Sequence, residues 1–342
     1  MNKKIIYTCG PTIYSSRLHL GNLRSIIWAN LIRCCLEWEG HEVIFNMNLT
    51  DIDDKILNAM EDEDLISFIS RTCSDTLTFL NKHKIIRAKD NILLATDYVP
   101  EMLSIIHELE KINKIQVVEN EILFKSSFKG FKNNIRREGI KTIDRQMPSE
   151  QVLWKRNLEF PEVFWRTKWF DGRPGWHIEC SSMIKHVLEQ NNVRTLDFQI
   201  GGYDLKFPHH FNSEEILTTL NFNIKKTLHI GLLTNKKKKM SKSLGNTEFL
   251  NTEDIKLMKF FFATQSYNKN QEFSEYILKQ NKSKYNKFCK IINELSNEIN
   301  NNYEQINSFI QNFNISGIIG LIFAKKINKT ESLKIANFFD LI

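Results

Sequence analysis

His19, Leu20, Gly21 and Asn22 form a short run that combines an imidazole, a glycine and a carboxamide. Imidazole and amide groups donate hydrogen bonds to phosphate oxygens, and glycine lets the backbone come close to them. Far downstream, KKKKMSKSLGN gathers Lys239, Ser241, Lys242 and Ser243 in one loop-like stretch. Ammonium groups on flexible stems, with small hydroxyls beside them, suit a triphosphate. Each run alone carries little weight, because H-x-G patterns occur in ordinary turns and lysine runs are mostly solvated loops. What decides whether they act together is the set of elements that carries them.

The segment IIYTCG is a β-branched and aromatic run stopped by Gly10 and Pro11, which predicts a buried strand entering a loop. RSIIWANLIRCCLEWEG then has helical apolar spacing and a stop at Gly40, and HEVIFNMNLTD predicts a second strand. Strand, loop, helix and strand make a βαβ unit whose loop lies where helix N-terminal amides meet a phosphate. The expected fold is therefore α/β, a split Rossmann-like parallel-sheet domain with its first half in residues 1–90. Helical spacing and then short strand-like pieces, IQVVEN and EILFKSSF, place a connective insertion at 91–160. GWHIECSSMIKHVLEQ, TLDFQIGG and TLHIGLL restore the helix and strand pattern over 161–235, the second half. A lysine-loop region occupies 236–265, and proline-free helical spacing over 266–342 predicts a small α-helical bundle.

At 342 residues the chain should hold about two to three compact units, and 42% hydrophobic with 25% charged residues is a globular composition. No apolar run approaches the roughly 20 residues that span a bilayer, and the N-terminus lacks a secretory apolar stretch, so a cytoplasmic protein with no membrane segment is expected. Six cysteines, with Cys34 and Cys35 adjacent, do not form the spaced framework of a disulfide scaffold and read as reduced thiols or metal ligands. A net charge of +7 favours a polyanionic partner, although the lysines are spread along an Asn- and Ile-rich chain whose compositional bias accounts for part of it.

HLGN after the first strand and KMSKS after the last strand of a split α/β unit resemble the paired signature of class I aminoacyl-tRNA synthetases. CGPT (Cys9 to Thr12), TDIDDK (Thr50 to Lys55), VLWK (Val152 to Lys155), RPGWHIECSSM (Arg173 to Met183) and GGYDLKFPHH (Gly201 to His210) narrow the resemblance to the cysteinyl-tRNA synthetases, in the family's order over residues 5–246. The resemblance implies ATP-dependent, Mg²⁺-assisted activation of L-cysteine to its adenylate and transfer to the 3′ end of tRNA(Cys) by a monomer. It implies catalytic roles for His19, Asn22, Lys239 and Lys242, and ATP contacts at Gly21, Gly201, Gly202, Asp204 and Lys242. Thr50 and Trp176 match positions near the bound amino acid, and His229 lies in the strand that flanks adenine. The region 236–265 then contacts the tRNA stem, and 266–342 is a shortened anticodon-type domain.

The resemblance also implies one Zn²⁺ per chain on Cys9, Cys180 and His209, two thiolates and an imidazole from separate segments that suit a tetrahedral site. A thiophilic ion bound to the substrate's sulfur would refuse serine where size alone discriminates poorly. The family pattern HHENE places a fourth, carboxylate ligand where this chain has Ser213. Glu214 is the favoured substitute, with Glu215, His210 or water as the alternatives. Two rival readings keep the fold: a cysteine ligase with an amino-sugar acceptor, and a tRNA-binding relative without catalysis.

Overall fold

The computed structural model describes residues 2–15, 18–60, 62–126, 150–240, 255–299 and 301–342. Strand β1 (Lys3–Thr8) pairs in parallel with β2 (Glu42–Leu49), Ile5 opposite Ile44 and Tyr7 opposite Asn46. Strands covered on both faces read as continuous apolar runs, which is why Ile5, Ile6 and Tyr7 follow one another without a polar break. The crossover helix α1 (Leu20–Trp38) is buried around most of its circumference, and Gly40, just past its end, takes the left-handed φ of +84° expected of a helix stop. Of its two buried arginines, Arg33 forms an ion pair of 2.6 Å with Asp90, and Arg24 donates to the carbonyl oxygens of Gly231 and Lys269.

Helices α2 (Asp54–Leu57) and α3 (Leu65–Lys82) return the chain to β3 (Asn91–Leu94), which pairs with β2. The first half of the sheet domain therefore runs beyond the boundary expected at residue 90, because a crossover has to deliver a strand before the chain leaves the sheet. On the other side of β1 lie β9 (Phe198–Gly202) and β11 (Thr227–Ile230), giving a five-stranded parallel sheet in the order β11-β9-β1-β2-β3. The strand order reverses between β1 and β9, and the crevice beyond the carboxyl ends of such a pair is where open α/β sheets bind ligands.

Between β3 and the second half, α4 (Val99–Lys111) leads to an antiparallel sheet of β4 (Ile115–Val118), β5 (Glu121–Lys125), β6 (Glu150–Lys155) and β7 (Arg173–Pro174). Helix α5 (Trp176–Gln190) then precedes β8 (Thr195–Leu196) and β9, and α6 (Phe211–Thr219) precedes β10 (Asn223–Ile224), which pairs with β8, and β11. A tight hairpin of β12 (Leu233–Asn235) and β13 (Lys238–Lys239) turns through Lys236 and Lys237, both at positive φ.

After α7 (Ile255–Ala263) and β14 (Gln271–Glu272) come α8 (Glu275–Glu294), α9 (Tyr303–Gln311), α10 (Ile315–Phe323) and α11 (Lys329–Phe338). One apolar core joins α1 to these C-terminal helices, with Trp38 packed 5.0 Å from Phe338. A second core, on the opposite face, joins β1 to α4, α5 and α6 and includes Cys9 and Cys180. No helix of the described residues is long and apolar enough to cross a membrane.

Candidate active site and metal group

A cleft of 240 Å³ opens beyond the carboxyl ends of β1 and β9. His19 enters it as the N-cap of α1: its backbone is extended, and its Nδ1 accepts the Gly21 N–H at 2.9 Å. In the neutral ring this bond places the remaining hydrogen on Nε2, which makes that atom a donor. A Cβ on Gly21 would stand 2.9 Å from His19 Nδ1, so glycine is what lets the imidazole fold over the helix start. Asn22, the N-terminal turn of α1, Gly202 and Asp204 line the same cleft, as do Ile230 to Leu233.

Lys239, at the end of the hairpin, lies 2.6 Å from the Asp204 carboxylate, and the neighbouring Met240 is buried with its N–H bonded to Leu233 O at 3.0 Å. Ser241, Lys242 and Ser243 lie outside the described residues. Gly201 sits beneath the cleft rather than on its wall. A Cβ there would come within 2.7 Å of the His210 ring, so this glycine makes room for the histidine.

Cys9 follows β1 with its N–H bonded to Ile200 O at 2.8 Å, Cys180 lies one turn into α5, and His209 lies in the irregular helical turn Lys206–His210 that precedes α6. Their ligand atoms all fall within 4.8 Å of one another, and all three residues are buried. Cys9 and Cys180 sulfurs are 3.8 Å apart, and His209 Nε2 is 3.2 Å from Cys180 Sγ. The hydrogen bond from Cys9, and then the His209 ring, hold the Cys180 thiol well below its ordinary range. Cys9 moves the opposite way, raised by its bond to Cys180 and by burial. Two sulfurs and an imidazole nitrogen at this spacing are a donor set for a borderline-soft cation.

His209 is held from behind as well. Its Nδ1 is 3.2 Å from His177 Nδ1, and the Trp176 indole stacks on its ring with centroids 4.3 Å apart. Trp176 is 40% exposed and faces the cleft one turn before Cys180, while Thr50 lines the cleft from β2's end and accepts from Asn48 Nδ2 at 3.3 Å. Burial, aided by His209, drives His177 down to about 3. His210, 3.3 Å from Cys9 Sγ, bonds His229 at 3.0 Å; burial lowers His210 strongly and takes His229 to about 4, so these rings stay neutral.

Glu214 is not brought to the cysteines: it is exposed, whereas Ser213 is fully buried with its Oγ accepting from Ser181 Oγ at 3.2 Å. Neighbouring helix residues point about 100° apart, so once Ser213 faces α5, Glu214 faces outward. Glu215 is committed elsewhere, accepting from Ser126 Oγ at 2.6 Å and Gln151 Nε2 at 2.8 Å. The histidine contacts of His177, His210 and His229, and the cleft-lining Tyr14 and Lys55, went unread in the sequence. For His177 the signal was available, since a residue three before Cys180 on one helix shares its side of that helix.

The family of class I (C) tRNA synthetase catalytic domains matches residues 1–283. A cysteine–tRNA ligase of Lactococcus lactis subsp. cremoris is 32% identical over 90% of this chain and 72% of its own length. This chain belongs to the class I cysteine–tRNA ligase family. Another family member, from Pseudothermotoga lettingae, is 36% identical over 79% of this chain and 61% of its own length. The fold is shared more widely: a Mycobacterium tuberculosis methionyl-tRNA synthetase in complex with methionyl-adenylate superposes with a TM-score of 0.59 at 11% identity, covering 99% of this chain and 82% of that one. A putative arginyl-tRNA synthetase from Campylobacter jejuni gives 0.55 at 12% identity over 100% and 84%.

Proposed function

We propose that this cleft activates L-cysteine with ATP and passes it to the 3′ end of tRNA(Cys). The observation that carries this reading is that the soft-donor group, Cys9, Cys180 and His209, opens onto the same cleft as the phosphate end, His19 and Asn22. Zn²⁺ is the ion suited to the group, held by those three residues, and when bound it would supply a soft Lewis acid that takes the substrate sulfur as thiolate and leaves serine's hydroxyl unbound.

In the first step the cysteine carboxylate attacks the α-phosphate of ATP, and pyrophosphate leaves. The His19 Nε2–H and the Asn22 amide would donate to the oxygens where charge develops, a preorganised electrostatic contribution. Lys239, with Lys242 from the adjoining segment, would hold the departing pyrophosphate together with Mg²⁺. Asp204 and Gly202 would receive the ribose, and Trp176 and Thr50 the amino acid. In the second step a ribose hydroxyl of the terminal adenosine captures the aminoacyl group and AMP leaves. Helices α8 to α11 would provide the surface for the body of the tRNA.

The test has two parts. Purified protein should contain about one equivalent of zinc per chain, reduced in Cys9→Ser, and should catalyse cysteine-dependent pyrophosphate exchange and charging of tRNA(Cys). Exchange without charging would exclude tRNA as the acceptor, and full activity in metal-free protein would exclude the zinc reading.

A further inference from the structure

Gln199 is a fully buried carboxamide on β9 whose Nε2 and Oε1 both lack a partner among the described residues. Buried side-chain amides nearly always find partners, so a wholly enclosed one without any marks a place where something is missing. Its position says what. In the parallel register Gln199 stands opposite Tyr7, and the Cys9 N–H bonds the next carbonyl, Ile200 O, at 2.8 Å. Side chains alternate across a strand, so Tyr7, Cys9 and Gln199 share the face that α5 covers, with Gln199 diagonal to Cys9.

A thiol can donate one hydrogen, whereas a thiolate can only accept. Cys9 Sγ lies 3.8 Å from Cys180 Sγ, and a sulfur that ligates a metal takes part in hydrogen bonds only as an acceptor, so donors around it are what hold it in place. We propose that Gln199 is a positioning residue whose amide N–H is donated to the Cys9 thiolate, fixing that sulfur in the metal group. The proposal rests on the zinc reading above and adds to it a residue that touches neither substrate nor metal. Groups that hydrogen-bond a metal's ligands commonly change metal retention by about 10–100-fold.

Cobalt(II) reports on this directly, because its sulfur-to-metal charge-transfer band responds to hydrogen bonds at the thiolate. Gln199→Met keeps the length and removes the N–H; Gln199→Leu removes it with a shorter, branched side chain. Both variants, loaded with Co²⁺, should shift that band to lower energy and lose the ion to a chelator about tenfold faster than the wild type. A thermal melt on each identifies the folded variant on which the band is read. If the wild type shows the band and both variants keep its energy and the ion's release rate, a buried water satisfies Gln199 and the proposal fails alone. If the wild type shows no sulfur-to-cobalt band, the zinc reading fails and takes the proposal with it.

Discussion

The Lys239 ammonium lies 2.6 Å from the Asp204 carboxylate, so the group proposed for the phosphates holds the group proposed for the ribose. Both are close to half exposed, 45% and 44%, and an exposed pair of this kind is worth at most about 1 kcal/mol. Nucleotide can therefore displace it, but adenosine and the lysine compete for one carboxylate. Lys239→Met should tighten adenosine binding about threefold, measured by calorimetry, while slowing ATP–pyrophosphate exchange at least tenfold. An unchanged adenosine affinity would mean that Asp204 does not receive the ribose or does not need to be released.

Asp51 follows β2 and is wholly buried; burial pushes its carboxyl up to about 6, although the Thr96 hydroxyl and N–H both donate to it. The folded state thus binds this proton more tightly than the unfolded chain, whose aspartates titrate near 3.9. Stability should fall as pH rises from about 4 to about 6, and the deficit should persist above that. Asp51→Asn, which keeps a hydrogen-bonding partner for Thr96, should match the wild type at about pH 4 and exceed it at neutral pH by up to about 3 kcal/mol. Urea denaturation at the two pH values measures this, and parallel pH profiles would show that the ionised carboxylate is fully compensated.

Lys259 in α7 is only 3% exposed and donates to His83 O at 2.8 Å and to the Asp340 carboxylate, tying the sheet domain, α7 and the segment after α11 together. Removing one partner of a buried pair strands the other, and the ammonium is the more buried of the two. Asp340→Ala should therefore destabilise more than Lys259→Met, by about 2 kcal/mol against 1, since the methionine leaves a partly solvated carboxylate. Calorimetry should still show a single transition, as one core spans α1 and the C-terminal helices. A second transition would mean that these helices unfold on their own.

The strand–helix–strand start was legible because β1, α1 and β2 each carry a local signal: an apolar run, helical spacing and Gly40. The place of β3 was not, since NILL is too short to distinguish a sheet strand from a turn of the insertion, and its pairing with β2 depends on residues far away in sequence. Cys9, Cys180 and His209 could be named from their motifs, yet the position of the carboxylates beyond them could not. Which face of α6 meets α5 depends on the irregular turn Lys206–His210, and that turn sets Ser213 inward and Glu214 outward. The Asp204–Lys239 contact was similarly invisible, because it forms only when the β12–β13 hairpin folds back over the end of β9.

His19 performs two tasks with its two ring nitrogens, and a single substitution separates them. Nδ1 caps α1 through the Gly21 N–H, while Nε2 is the atom proposed to reach the α-phosphate. Asparagine is among the best N-cap residues, and its side-chain oxygen can accept from the first-turn amides, but its amide reaches less far than Nε2 of an imidazole. His19→Asn should thus leave the thermal midpoint of the protein nearly unchanged and slow pyrophosphate exchange by about 100-fold or more, acting on kcat with little change in KM for cysteine. His19→Ala loses the cap too, so it should add a stability loss of about 1 kcal/mol to the same kinetic defect. If the asparagine variant retained wild-type exchange, capping would be the whole role of His19, and the charge developing at the α-phosphate would have to be met by Asn22 and the lysines alone.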